Sequence, residues 1–223
     1  MFKCILLSLI LSLLALQVVG QLQELSLVQY NSLKALYDSL NGSHWIGGCN
    51  WNWNFDNDRT QPCTMPWNGI TCNQYQTSIT HIQLGSCNMQ GIIPTDIGNF
   101  VDLEYLSLQY NRKITGKIPS EIGLTSLKDI QLSFNKLSGS IPPQLYQLTN
   151  LKQLWLWDNQ FDGSISTQIC NLINLESFNI GNNKFKGKLP ECIGSLLQLS
   201  QAFLYNNALT GKAFLFSILY SSF

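Results

Sequence analysis

Few residues of this 223-residue chain are arranged to do covalent chemistry. It has two histidines, His44 and His81, far apart and without a partnering motif. No Gly-x-Ser-x-Gly elbow and no His-Glu-x-x-His zinc helix occurs. The carboxylates do not gather into a general acid–base pair. Gly181-Asn-Asn-Lys-Phe-Lys-Gly-Lys-Leu189 has the outline of a phosphate loop. Five residues separate its glycines where four are needed, and Leu189 stands where a hydroxyl would hold magnesium. No Cys-x-x-Cys pair is present to build a structural zinc site. The chain therefore reads as a non-enzyme, with no catalytic residue, metal or cofactor expected. Binding is the chemistry left to it, and the residues suited to that are aromatic. Trp155 and Trp157 flank Leu156, an alternation that puts both indoles on one face of a strand.

The elements that position those indoles are repeats. Apolar residues recur at offsets 0, +3 and +5 from Ile79, Leu103, Leu127, Leu151, Leu175 and Leu199, each start 24 residues after the last. Offset +8 holds Cys87, Asn111, Asn135, Asn159, Asn183 and Asn207. Gly follows at +12 as Gly91, Gly139, Gly163, Gly187 and Gly211. The second repeat shifts it to Gly116 and regains phase near Gly123. Ile-Pro or Leu-Pro follows at Ile93-Pro94, Ile118-Pro119, Ile141-Pro142 and Leu189-Pro190.

This pattern is that of the leucine-rich repeat, and its Leu-x-Gly-x-Ile-Pro tail resembles the plant-type subclass. The expected fold is α/β: a right-handed solenoid with a parallel sheet on its concave face and a helical, disulfide-linked N-terminal cap. Strands about 4.8 Å apart give a sheet roughly 24 Å wide over six repeats. The inward residues at +3 and +5 form the core, which only stacked neighbours can bury. The repeated Asn forms a ladder whose amides satisfy backbone groups of the turn. Cys87 takes that place in the first repeat, where it is expected buried and reduced.

Organisation follows from these limits. Residues 1–20 read as a secretory signal, with Lys3 as its basic start, an apolar run from Ile5 to Leu16, and cleavage after Gly20. Residues 21–78 form the cap, 79–212 the six repeats, and 213–223 an apolar tail outside the pattern. The cap should open with a helix over 23–40, carrying Leu22, Leu25, Val28, Leu33, Leu36 and Leu40 and ended by Asn41-Gly42. A Trp- and Asn-rich loop over 45–55 follows. Pro62-Cys63 and Trp67-Asn68-Gly69-Ile70-Thr71-Cys72 resemble the closing segment of the plant-type cap, which implies a Cys63–Cys72 disulfide. Cys170 and Cys192 occupy nearby offsets of adjacent repeats, so a second bridge is expected there. Cys49 is left free, or bonded to Cys87. Asn41-Gly42-Ser43 is the one Asn-x-Ser/Thr sequon and marks Asn41 for glycosylation. The tail either covers the last repeat or marks this sequence as part of a longer chain; the second reading is favoured.

The charged fraction is only 12%, with 13 basic and 13 acidic residues, while 21 Asn and 18 Gln carry the polarity. A net charge of 0 offers nucleic acid no attractive field. No stretch outside the leader is long enough to be a transmembrane span. A secreted or extracellular location is expected, at the cell surface if the chain is part of a receptor.

The concave face should expose offsets +2, +4, +6 and +7. Trp155, Trp157, Phe203 and Tyr205 lie in two of these columns, with Asn179 and Gly181 leaving a shallow trough between them. Asp129, Gln131, Gln153 and Asn179 complete the expected ligand-binding set. The resemblance implies a receptor-ectodomain-like recognition module for a protein, peptide or glycan. Two rival readings are a secreted inhibitor of a cell-wall hydrolase, as in polygalacturonase inhibitors, and a structural wall or matrix protein.

Overall fold

The computed structural model describes residues 25–49, 62–63 and 67–210. The expected signal segment, most of the Trp- and Asn-rich loop and the apolar tail lie outside the described residues. The solenoid is as expected. Six strands, one per repeat, run parallel and in register, so that Tyr105, Asp129, Gln153, Ser177 and Gln201 are direct neighbours. A seventh strand, Ile70–Cys72, joins antiparallel to Ile79–Gln83 and closes the N-terminal edge. On the far side of each repeat a second run of short strands, from Gln90–Ile92 to Ala208–Thr210, is followed by single-turn 3-10 helices. The Pro residues that precede those helices hold extended backbone at their starts, as at Pro94, Pro119 and Pro142.

Inward Leu, Ile and Phe residues fill the centre. Leu106, Ile130, Leu132, Leu154, Leu156 and Phe178 are all fully buried. One sharp turn recurs in every repeat. The residue at +7 takes a left-handed backbone with φ between 50° and 60°: Ser86, Tyr110, Phe134, Asp158, Asn182 and Asn206. That conformation is unfavourable for Tyr and Phe. The Asn that follows makes it tenable by bonding the turn. Asn159 Nδ2 donates to the carbonyls of Leu132 and Leu156, and Asn159 Oδ1 accepts from the Leu137 amide at 2.9 Å.

The ladder has one defect. Asn111, Asn159, Asn183 and Asn207 all accept a backbone N–H from the preceding repeat. Asn135 Oδ1 is buried without a partner. The cause is the extra residue of the second repeat: it moves Ile114 one step along, and the Ile114 amide bonds the Asn111 carbonyl instead.

The cap helix runs Leu27–Ser39, with Ser26 capping the Gln29 amide. It begins later than the apolar spacing suggests, and residues 23–24 lie outside the described part. Val28 is 56% exposed rather than part of the apolar face. Gln29 is buried in its stead, because its Oε1 accepts the Ile79 amide at 2.9 Å and so satisfies the start of the first repeat strand. Backbone contact with the first repeat is close: a Cβ on Gly91 would lie 2.0 Å from the Ser39 carbonyl oxygen. Cys63 is bonded to Cys72, and Cys170 to Cys192. Cys87 is not reduced. It is bonded to Cys49, their Cα atoms 5.6 Å apart, and this ties the loop after Trp45 to the first repeat. The sequence could not decide this, because the approach of residue 49 depends on the path of the cap around the helix. Asn41 is half-buried, in left-handed conformation, with Oδ1 2.9 Å from His44 Nδ1.

Candidate concave binding site

Rigid strands hold the concave side chains in columns. At offset +4, Gln131, Trp155 and Asn179 are successive register partners, and Phe203 follows Asn179. Trp155 and Trp157 are both half-buried and lie on either side of buried Leu156. The Trp155 indole N–H donates to Ser177 Oγ at 2.9 Å, and that hydroxyl donates to Gln201 Oε1 at 3.1 Å. The indole is thus anchored toward the C-terminal strands.

Trp157 turns the other way. Its ring meets Phe134 edge-on at 4.1 Å between centroids, and Phe134 stacks on Tyr110 at 4.3 Å. The Arg112 guanidinium stands 5.2 Å above the Phe134 ring. Three repeats therefore contribute one continuous aromatic run along the +6 and +7 side of the sheet. The left-handed turns at Tyr110 and Phe134 aim those rings at one another. Each such ring pair contributes about 0.5–1.5 kcal/mol beyond its buried area. Neither Tyr110 nor Phe134 is singled out by sequence spacing as a binding residue. The signal that could have found them is aromatic adjacency in neighbouring repeats at +7, +7 and +6.

The expected trough is closed at its floor. Tyr205, 47% exposed, lies over buried Gly181: a Cβ there would come within 2.7 Å of the Tyr205 ring. Asn179 turns its Oδ1 onto the Gly181 amide at 3.1 Å. Offset +6 alternates small and large: Gly85, Gln109, Ser133, Trp157, Gly181, Tyr205. Gln109 covers Gly85 as Tyr205 covers Gly181. Ser133, between Gln109 and Trp157 in this column, is fully buried with an unpartnered Oγ. The four aromatics expected to frame one trough thus divide, Trp157 toward Phe134 and Tyr205 onto Gly181.

Two ion pairs line one side of the face. At offset +1, Lys128 pairs with Glu104 at 2.8 Å and Lys152 with Glu176 at 2.9 Å. Asp129 lies half-buried between these pairs. Burial, and then the nearby Glu176 charge, push its carboxyl above the usual carboxylate range despite Lys152, His81 and Lys128. Tyr105 is the register partner of Asp129 on the preceding strand, and His81 stacks against Tyr105 at 5.8 Å. Burial and the Asp129 charge raise the Tyr105 hydroxyl in turn. Gln131 is buried and accepts from Gln109 Nε2 at 3.1 Å, while Gln153 remains half-buried next to Asp129. Among the described residues no group of three His, Cys, Asp or Glu side chains could hold a metal, and no helix is long and apolar enough to cross a membrane.

Residues 126–148, 150–172 and 174–196 match the Leucine Rich Repeat family model. Over 84 residues, 37% of its length, the chain is 38% identical to the leucine-rich repeat receptor-like serine/threonine-protein kinase RGI4 of Arabidopsis thaliana. It spans only 7% of that kinase, and the match falls within 84 residues. Among solved structures it resembles the Arabidopsis thaliana BIR2 ectodomain, with a TM-score of 0.70, 28% identity, and coverage of 85% of this chain and 97% of that one. It also resembles the Arabidopsis receptor kinase HAESA, solved in complex with the peptide hormone IDA and the co-receptor SERK1. There the TM-score is 0.70 and the identity 27%, over 81% of this chain and 30% of that one. The chain is a leucine-rich-repeat solenoid similar to the ectodomains of plant receptor kinases.

Proposed function

We propose that this chain is an extracellular recognition module that binds a peptide segment along its concave sheet, in the manner of a receptor ectodomain. One observation carries the reading. Trp155 and the Tyr110–Phe134–Trp157 run present large, part-exposed rings on rigid strands, in surroundings dominated by neutral amides. Aromatic side chains anchored on a rigid frame concentrate binding energy at little cost in side-chain entropy. The strands leave their outward side chains in a regular lattice, which suits an extended chain laid across several repeats. The similarity to HAESA, crystallised with a peptide hormone, supports a peptide over a glycan. Trp155, Trp157, Asp129, Gln153 and Phe203 are the residues this reading assigns to the ligand. Asn179 lies between Trp155 and Phe203 in the +4 column, and Tyr205 covers Gly181 beside it.

The test is selection of short random-sequence peptides on the purified chain, followed by titration of the best binders. Trp155→Ala together with Trp157→Ala is expected to weaken binding by about a hundredfold, the loss of two hot-spot contacts. Stability should fall by only about 1–2 kcal/mol, the loss of the Trp157–Phe134 ring pair and the Trp155 hydrogen bond, since both rings are outside the core. Unchanged affinity in the double variant would overturn the concave-face assignment.

A further inference from the structure

Asp129 is a half-buried carboxylate in the middle of a sheet, and among the described residues no cation forms an ion pair with it. The two lysines that flank it are committed elsewhere, Lys128 to Glu104 at 2.8 Å and Lys152 to Glu176 at 2.9 Å. Among the described residues Asp129 enters no ion pair and no side-chain hydrogen bond. A carboxylate in this state is costly unless a cation reaches it. The charges facing it are Glu104, Lys128, Lys152, Glu176 and His81, and the four flanking side chains already cancel in pairs.

Rings stand on both strands that neighbour Asp129. Tyr105 occupies the neighbouring position on the preceding strand, backed by stacked His81. Trp155 lies on the following strand, two positions along, its indole fixed by Ser177. A carboxylate with ring faces at hand is suited to a cation that can stack and donate at once. A guanidinium does both: its planar fork meets a carboxylate while its face lies on a ring. A metal ion is disfavoured, because among the described residues no group of three His, Cys, Asp or Glu side chains gathers there.

We propose that Asp129 and its register partner Tyr105 form a subsite for a basic side chain, arginine above all, of a peptide bound to the concave face, with Trp155 bordering it on the following strand. This inference rests on the peptide-recognition reading given above. It names the chemistry one position of the ligand must carry. The ligand's cation completes the row of paired charges that Glu104–Lys128 and Lys152–Glu176 begin.

The experiment uses the peptides selected on the wild-type chain, each remade with its basic residues replaced by glutamine. Wild type should prefer the arginine peptide over its glutamine analogue by about tenfold or more, the range of one charge-assisted contact. Asp129→Asn should erase that preference by weakening the arginine peptide alone, whereas Asp129→Glu should keep most of it. The preference should also fade as the pH falls and Asp129 protonates. Selected peptides without basic residues, or an Asp129→Asn variant that retains the preference, would overturn the subsite and leave peptide recognition standing. A selection that yields no binder overturns the recognition reading, and the subsite with it. The melting temperature of each variant separates lost contact from lost fold.

Discussion

The Tyr205 ring rests on Gly181, where any side chain would intrude: an added Cβ would lie 2.7 Å from the ring's Cζ. The contact converts an apparent gap between two aromatic pairs into a closed surface. Tyr205 is half-exposed and can swing away, so Gly181→Ala should cost no more than about 1 kcal/mol. It should instead raise the reactivity of Tyr205 toward a tyrosine-acetylating reagent. An unaltered modification rate would show that the ring does not lie there.

The ladder asparagines should not be equivalent. Asn111 Oδ1 accepts from both the Cys87 and Met89 amides, and its Nδ2 donates to the carbonyls of Leu84 and Leu108. Asn135 makes the donor contacts to Leu108 and Leu132 but its Oδ1 has no partner. Replacing Asn111 by Ala strands two buried amides and should cost roughly 2–4 kcal/mol. Asn135→Ala should cost at least about 1 kcal/mol less, because it orphans no N–H. Denaturant unfolding of the two variants measures the difference, and equal losses would contradict the gap in the ladder.

The Cys49–Cys87 bond spans 38 residues and joins the cap to the first repeat. The chain-entropy model assigns such a loop about 3–4 kcal/mol. Cys49→Ser should therefore lower stability in non-reducing buffer and leave Cys87 as a thiol that a thiol-specific reagent reaches only after unfolding, since Cys87 is fully buried. Detection of Cys49 and Cys87 as two free thiols in the denatured wild type without reductant would contradict the pairing.

Core packing predicts larger losses than any concave substitution. Leu132 and Leu156 are fully buried in adjacent repeats. Either one changed to Ala should cost about 2–5 kcal/mol. Thermal melts of the two variants would expose a misplaced core if neither shifted.

Asp129 should cost stability at neutral pH. Its folded-state pKa is raised, by burial first and Glu176 second. The native protein therefore favours the protonated acid. The stability linked to this group is fully present below the unfolded pKa and is lost as the pH rises through the higher folded value. Asp129→Asn should then raise the melting temperature at pH 7, and the gain should disappear in acid, where the wild-type carboxyl is protonated in both states. A variant less stable than wild type at pH 7 would point to a stabilising partner for the carboxylate.

The 24-residue spacing by itself determined the solenoid, the parallel register, the buried Leu and Ile set and the Asn ladder. Those features repeat, and a repeat can bury its apolar face only by stacking in phase with its neighbours. The spacing also determined that Trp155 and Trp157 lie outward, because a strand alternates its faces. Three matters belonged to the tertiary structure. The direction in which each outward ring leans depends on the size of the side chain in the adjacent repeat, so Trp157 meets Phe134 while Tyr205 covers Gly181. The bonding of Cys49 to Cys87 depends on how the cap wraps the first repeat, which no local period encodes. The unpaired state of Asp129 depends on Lys128 and Lys152 choosing Glu104 and Glu176, a competition decided by distances across strands rather than along the chain.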